Sequence, residues 1–553
     1  MSEEPSWVRI IPLGGLGEIG MNHLVVETAE DLVIIDAGLM FPEEEMLGID
    51  LVIPDFTYLR ERQGKIRGII LTHGHEDHTG ALPFLLQSVR APVYGTPLSL
   101  GLAAEKLREF GVKAETHAIR TGDTLVLGGV TVECIRVCHS IPDGIALAMV
   151  TPAGLVVHSG DFKLDSTPVD DEPTDERRFS ELGGRGVLLL LSDSTNALRP
   201  GVTPSERSVG AALQTIFTQA RRRVIVACFA SHIHRIQQIL DVAHALGKRV
   251  AIHGKSVVAS ARIAADLGYL HIPEGTLVRL DELTRCAPEA TVIVTTGSQG
   301  EPLSALTRMA VGEHKQIEIC PGDTVIFSAR VIPGNERAIT RTINQLFRRG
   351  AEVITEEVAP VHVSGHPSQE ELKRMLCLTR PRFFLPIHGE YRHLHAHADL
   401  AVAVGVPAER VFVAEDGDVL EFTPEKGEKV DRVPAGRVFV DGKGIGDVGE
   451  LVLRDRQRLA EDGVVVVVLG VERGSGRVVA GPEILSRGFV YVREAEELLR
   501  AAKEIVMSTV EACTTEERGD GGLVQERLRA ALRKFIQKGY DRRPMIMPVI
   551  LEV

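Results

Sequence analysis

The stretch Thr72-His73-Gly74-His75-Glu76-Asp77-His78 constrains this chain more than any other. It follows the apolar run GIIL and precedes the helical pattern GALPFLLQSV, so it occupies a loop between a buried strand and a helix. Three histidines and an aspartate fall within six residues of a chain that has only 19 histidines. A strand-to-helix loop aims such side chains into one cavity, and imidazole with carboxylate is the donor set that borderline cations such as zinc accept.

The flanking sequence supplies the sheets that such a loop needs. Short β-rich runs alternate with turns through the first two hundred residues: WVRIIPLGG, HLVVET, LVIIDAG, IRGIILTHG, TLVLGGVTVECIRV, IALAMVTPAGLVVHSGD and GVLLLLSD. With interleaved helices such as PLSLGLAAEKLREFG, the pattern suits an αββα sandwich. From about Thr203 longer amphipathic helices alternate with buried strands (SERSVGAALQTIFTQARR, RVIVACF, IHRIQQILDVAHALG, RVAIHG), a βαβ pattern that predicts a parallel sheet. Short strands return at FFLPIHG and RVFVAEDGDVLEF, so the second unit is inserted into the first. A Gly/Pro/Lys-rich connector then leads to a small α/β unit ending in PMIMPVILEV.

Composition narrows the class. The 553 residues are 44% apolar and 25% charged, ordinary globular usage that excludes a fibrous or largely disordered chain. MSEEPSWVRI lacks the basic region and apolar core of a signal peptide, and no apolar stretch is long enough to span a bilayer, so the cytoplasm is the expected compartment. Seven scattered cysteines without a CxxC pair argue for reduced thiols. The net charge of −14 opposes a nucleic-acid partner unless bound cations and a local basic groove supply the field. The candidates for that groove are Arg221, Arg222 and Arg223, and the run from Arg337 through Arg341 to Arg348 and Arg349. The segments GGLGEIG and GKGIGDVG lack the Lys-Ser/Thr of a phosphate loop and read as tight turns.

The HxHxDH string resembles the signature of the metallo-β-lactamase superfamily, and the further motifs of that family follow in order: Asp36 in LVIIDAG, His139 in CHSIPDG, Asp161 in HSGDFK and His388 in FFLPIHGEYRH. By this resemblance His73, His75 and His139 hold one metal, Asp77, His78 and His388 hold a second, and Asp161 bridges them. Asp36 orients the histidine loop. Two Zn2+ per subunit are implied, with Mn2+ acceptable to the same donors. Two such metals lower the pKa of a shared water and stabilise the attacking and leaving oxygens of an in-line displacement. The superfamily also hydrolyses lactams, thioesters and other small substrates, so the cluster alone leaves the substrate open.

The inserted unit resembles the β-CASP cap of nucleic-acid-processing members, and the strings GLGEIGMN, SDSTNA, FASHIHR, TTGSQGEP, VSGHPS and PIHGEYR resemble the ribonuclease J family within them. The fold implied is an αββα metallo-β-lactamase sandwich (1–205 and 361–424) with an inserted β-CASP α/β domain (206–360), a linker (425–455) and a small C-terminal α/β domain (456–553). The resemblance makes Asp193, His366 and Asp77 catalytic, with His366 giving the leaving ribose oxygen its proton and Asp193 orienting the imidazole. Ser231, His362, Val363, Ser364, Gly365 and His366 would bind a phosphate, and Phe229 would stack on a base. A structural calcium at Gly48, Asp50 and Asp441 is also implied. The expected activity is hydrolysis of single-stranded RNA in maturation and decay, 5′-to-3′ from a 5′-monophosphate end and also internally. A homodimer or homotetramer, and contacts with other RNA-decay enzymes, are expected on the same basis. The alternatives kept open are a hydrolase of small esters, thioesters or lactams, a DNA-directed β-CASP nuclease, and an RNA scaffold without turnover.

Overall fold

The computed structural model describes residues 6–553 apart from 44, 284, 302, 333, 443, 474, 491–495 and 519. The acidic N-terminal tip, Pro302 of TTGSQGEP, Lys443 of the second glycine-rich segment and the start of VREAEELL lie outside the described residues. The chain divides into two compact units, residues 1–41 with 51–438, and residues 42–50 with 439–553.

In the larger unit, two mixed sheets face each other. Among the described residues one has eight strands, ordered Gly427–Arg432, Asp418–Phe422, Val8–Gly14, His23–Glu27, Leu32–Ile35, Ile66–Leu71, Val93–Gly95 and Thr116–Ala118. The other has six: Phe383–Ile387, Val187–Asp193, Gly154–His158, Ile145–Thr151, Val130–Arg136 and Thr124–Leu127. Ile10, Val26, Ile35 and Ile70 of the first pack on Cys134, Leu147, Val156, Leu189 and Leu385 of the second, all buried. The helices Glu176–Arg185, Gln369–Thr379 and Tyr391–Ala403 cover the outer face of the six-stranded sheet through Phe179, Leu182, Leu372, Met375 and Ala401. This is the metallo-β-lactamase αββα sandwich.

The β-CASP insertion is built on a fully parallel five-stranded sheet, Arg249–His253, Thr291–Thr295, Val224–Ala227, Thr324–Phe327 and Glu352–Ile354, flanked by helices including Arg207–Gln219, Ile233–Ala245 and Glu336–Arg348. The strands leading out to it and back from it, Val187–Asp193 and Phe383–Ile387, are parallel neighbours in register, with Asp193 opposite Ile387. A long excursion therefore returns to the place it left. Gly427–Arg432, in the stretch read as a connector, extends the eight-stranded sheet as an antiparallel edge strand. Three of the seven arginines offered for a basic groove are engaged within the cap. Arg222 and Arg223 both pair with the fully buried Asp323, just before the strands Val224–Ala227 and Thr324–Phe327, and Arg349 bonds the Ala310 carbonyl. They neutralise and brace the N-terminal edge of the cap sheet.

In the smaller unit, Val478–Arg487, Val464–Val471 and Met545–Glu552 form a mixed sheet covered by the helices Glu496–Glu511 and Gly521–Tyr540. Val465, Val467 and Leu469 pack on Val506, Leu528 and Leu532. Gly444–Ile445 pairs antiparallel with Val440–Asp441. All seven cysteines are free. Among the described residues no helix is long and apolar enough to cross a membrane.

One buried ion pair ties both chain crossings between sandwich and cap. Arg235 has no solvent exposure; its guanidinium meets both carboxylate oxygens of Glu206 (2.8 and 3.0 Å) at the way out and the Val361 carbonyl (2.7 Å) at the way back. Cutting one partner strands a buried charge, which costs about 3–5 kcal/mol, whereas removing both does not. Arg235→Met is therefore expected to lower the urea unfolding midpoint more than the double variant Glu206→Leu/Arg235→Met; the reverse order would refute the clamp.

Candidate metal centre and substrate cleft

Parallel strands of both sheets end at one rim, and the polar residues follow those ends. Asp36 comes after Leu32–Ile35, Thr72 to His78 after Ile66–Leu71, Asp161 after Gly154–His158, Asp193 ends Val187–Asp193, and His388 follows Phe383–Ile387. Two of them, Asp36 (φ 61°) and His388 (φ 55°), hold left-handed backbone that non-glycine residues seldom adopt, strain of the kind that functional sites retain.

Asp36 locks the histidine loop. Its carboxylate accepts from the Thr72 amide (2.7 Å), the Thr72 hydroxyl (2.8 Å) and His78 Nδ1 (2.7 Å), which leaves His78 Nε2 facing the cavity. Gly38 has no side chain because a Cβ there would lie 1.7 Å from the Asp77 carbonyl oxygen. His139 Nδ1 donates to the Gly365 carbonyl (2.8 Å), again leaving Nε2 inward, and a Cβ on Gly365 would strike the His139 ring at 2.6 Å. The Thr195 hydroxyl stands 2.7 Å from His388 Nδ1.

All seven expected ligands converge. The donor atoms of His73, His75 and His139 lie within 4.8 Å of one another, as do those of Asp77, His78 and His388, and those of His73, His78 and Asp161. Asp161 Oδ2 stands between the groups, 3.7 Å from His73, 3.2 Å from His78, 3.8 Å from His139 and 3.5 Å from His388.

Burial holds His73 and His139 well below the ordinary histidine pKa and lowers His75 to about 4, so these three present neutral nitrogens. At His78 and His388 burial acts the same way but is outweighed: Asp161, Asp77 and Asp36 raise His78 well above its usual range, and Asp161, Asp77 and Asp193 lift His388 to about 9. Burial opposes ionisation of Asp77 and Asp161, yet the surrounding imidazoles keep both carboxyls below the usual range. The cavity thus draws positive charge to the Asp77–Asp161 position. The residues fit divalent metal, since His388 Nε2 is buried without a hydrogen-bond partner, 3.4 Å from Asp77 Oδ2.

Beside this centre, His366 Nδ1 lies 2.8 Å from Asp193 Oδ2 and 3.8 Å from Asp161 Oδ2. Ser364 Oγ accepts from the His366 amide (3.2 Å) and from Asn196 Nδ2 (2.8 Å), leaving its own proton free to donate. Val363 packs into the cap core, and His362 Nδ1 is buried without a partner. Phe229 and Ser231 sit half-buried on the turn after Val224–Ala227; between them and Ile233, His232 lies in the field of His362 and His75. The calcium position is differently furnished. The Asp50 carboxylate accepts from the Gly442 amide (2.8 Å), and the Arg456 guanidinium bonds Asp441 and the Leu47 carbonyl beside Gly48.

Some site residues escaped sequence reasoning. Asn22, ending GLGEIGMN, places its carboxamide 3.1 Å from His78 Nε2 and 3.5 Å from Asp77 Oδ2. Thr195 and Asn196, in SDSTNA, support His388 and the Ser364–His366 turn. Both strings stood out, but nothing in them told which polar residue turns inward. His393 and His397, which follow FFLPIHGEYR, are also buried, His397 against Ser194 (3.0 Å) and Phe384.

Comparison with known proteins accounts for almost the whole chain. The family model "Metallo-beta-lactamase superfamily" matches residues 19–187, "Ribonuclease J, beta-CASP domain" 221–346, "Zn-dependent metallo-hydrolase RNA specificity domain" 350–413 and "Ribonuclease J C-terminal domain" 451–553. Ribonuclease J2 of Bacillus subtilis is 43% identical over 99% of both chains, and Ribonuclease J 1 of Streptococcus pyogenes 41% over 100% of this chain and 99% of that one. The chain belongs to the ribonuclease J family. A further member, Ribonuclease J of Helicobacter pylori, is 40% identical over 98% of this chain and 78% of its own. A crystal structure of an Enterococcus faecalis protein of unknown function shares the fold, with a TM-score of 0.54 at 14% identity over 75% of this chain and 100% of that one.

The geometry ranks the ligands by how many partners each serves. Asp161→Ala is expected to strip most of the bound metal and Asp77→Ala a smaller part, while Asn22→Ala retains it. Metal per chain by mass spectrometry after dialysis checks this, and equal content in all three variants would overturn the ranking.

Proposed function

We propose that this protein is a metal-dependent ribonuclease that hydrolyses phosphodiester bonds of single-stranded RNA, working 5′-to-3′ from 5′-monophosphate ends and also cutting internally. The observation that carries this reading is the pairing of His366 with Asp193 beside Asp161: a proton donor with its orienting carboxylate stands at the rim of the metal centre, on the turn where the chain re-enters the sandwich from the cap. Membership in the ribonuclease J family supports RNA as the substrate.

His73, His75, His139, Asp77, His78, His388 and Asp161 would hold two zinc ions, with manganese accepted by the same donors. The pair would supply an activated water and an electrophile for the phosphoryl oxygens. The chain's own groups do the rest. Asp193 holds the His366 imidazole by its Nδ1, so that Nε2 gives its proton to the departing ribose oxygen. The Ser364 hydroxyl and the backbone amides of the Ser364–His366 turn bind phosphate, with His362 and Val363 shaping the approach. Ser231 and Phe229, on the cap turn, contact the first nucleotide, the aromatic ring by stacking. A terminal phosphate caught in that pocket sets the register for release of one nucleotide at a time.

The test is digestion of a 3′-labelled single-stranded RNA bearing a 5′-monophosphate beside the same RNA with a 5′-triphosphate, a matched DNA, and thioester and lactam substrates, with zinc or manganese and with a chelator. Metal-dependent decay that favours the monophosphate supports the reading. Turnover confined to DNA or to the small substrates would replace it. His366→Ala is expected to keep its metal and lose about 10²- to 10⁴-fold in kcat, the usual reach of general acid catalysis; wild-type turnover would remove the proton-donor role.

A further inference from the structure

Asp323 absorbs Arg222 and Arg223, two of the arginines expected to line a basic groove, while a different arginine stands beside the Ser364–His366 turn. Arg330 follows the cap strand Thr324–Phe327 and is exposed. One of its N–H groups, on Nη1, donates to Asn196 Oδ1 (2.9 Å). Asn196 in turn donates from Nδ2 to Ser364 Oγ (2.8 Å) and to the His366 carbonyl (3.1 Å). The guanidinium is thereby set at a fixed offset from the Ser364–His366 turn through a single, almost fully buried carboxamide.

The loop that carries Arg330 is itself held. Gln299, only 5% exposed and part of TTGSQGEP, donates from Nε2 to the Arg330 carbonyl (2.8 Å) and accepts at Oε1 from the Ile332 amide (2.9 Å) and Asn335 (3.3 Å). A conspicuous turn with no role in the metal centre therefore clamps this one arginine loop on both sides.

Of the cations near it, Arg392 pairs with Glu390 (2.8 Å), so Arg330 is the one left without an acid of its own among the described residues. Among the described residues Arg330 forms no ion pair; Glu356, the acid whose field reaches it, pairs with Arg199 at 4.0 Å. Partial desolvation of its guanidinium end and the like charges of Arg199 and Arg392 all work against protonation of Arg330. The neighbouring His362 has its buried Nδ1 unpartnered and feels the same Arg330 and Arg199 charges. In a chain of net charge −14, gathering cations at an exposed rim costs free energy that a bound anion recovers.

We propose that Arg330 is a substrate-binding residue that grips a phosphate of the RNA strand beside the Ser364–His366 turn, a proposal that rests on the ribonuclease reading for the identity of the strand. A guanidinium has five N–H donors in a planar fork that suits phosphate oxygens, and one N–H group given to Asn196 orients the fork while leaving the others free.

The test uses the metal-loaded full-length protein and a 5′-phosphorylated, phosphorothioate-linked 2′-O-methyl oligoribonucleotide, a strand that resists hydrolysis, with binding followed by fluorescence anisotropy across a salt series. Arg330→Met is expected to raise Kd about ten- to a hundredfold, the range for a charge-assisted contact. It should also flatten the slope of log Kd against log salt by about 0.7, the share of one phosphate on a single strand, with metal content and melting temperature as in the wild type. Arg330→Lys should restore the slope and only part of the affinity, since lysine keeps the charge and loses the fork. An unchanged slope in Arg330→Met, at any Kd, would overturn the proposal and leave Arg330 as a brace for Asn196. Arg330-dependent binding without hydrolysis of ordinary RNA by the wild type would sink the ribonuclease reading alone, and a wild type that binds no strand would sink both.

Discussion

A carboxylate as deeply buried as Asp161 has lost most of its hydration, and the site is organised around replacing what it lost. The replacement is a shell of imidazoles, four of them from expected ligands and a fifth, His366, at 3.8 Å. Imidazoles alone compensate only when protonated, and the carboxylates drive only His78 and His388 up, whereas burial outweighs them at His73, His75 and His139 and drives those down. Divalent cations would satisfy the carboxylates without protons and free all five nitrogens to act as neutral donors. One charge in the wrong dielectric thus accounts for the imidazoles gathered around it, whose outer bonds fix their orientation.

That arrangement depends on a sheet geometry that brings several strand ends to one rim. Leu32–Ile35 and Ile66–Leu71 run parallel, as do Gly154–His158, Val187–Asp193 and Phe383–Ile387, so each group exits in the same direction. The long insertion preserves this because its departure and return are neighbouring strands in register. The same register brings Asp193 to His388 and, one turn away, to His366, while the Glu206–Arg235–Val361 contacts keep the two crossings together. The cap reaches the metal centre through its roots.

Much of this was legible in the sequence because it is local. The strand run GIILTHGH announces both the buried strand and the polar loop that ends it, so His73, His75, Asp77 and His78 stand out from the residues alone, whereas Asp36, His139, Asp161 and His388, each just past an apolar run, were picked out by the order of the family's motifs. The parallel cap sheet was legible from its βαβ periodicity for the same reason. What stayed hidden is set by contacts distant in sequence. Asn22 reaches His78 across 56 positions and Arg330 reaches Asn196 across 134, and no periodicity encodes such a meeting. Arg222 and Arg223 misled because adjacency in sequence suggested a shared face, whereas Asp323 lies between them and absorbs both. The strand Gly427–Arg432 was hidden by composition, since an edge strand exposed on both sides carries the charged and small residues of a connector.

The net charge then ceases to be an objection and becomes part of the design. Acids spread over most of the surface repel a polyanion everywhere except where cations outnumber them, and cations gather at only a few places. The metal centre is one, provided metal fills it. Arg330, beside the acid-paired Arg199 and Arg392, is the second we propose, adjoining the turn Ser364–His366. Steering of this kind selects for position more than for affinity: a strand that slides off the rim meets repulsion, while a phosphate that stays on it lies beside the His366–Asp193 pair. A strongly acidic protein can thus favour a polyanion at one place.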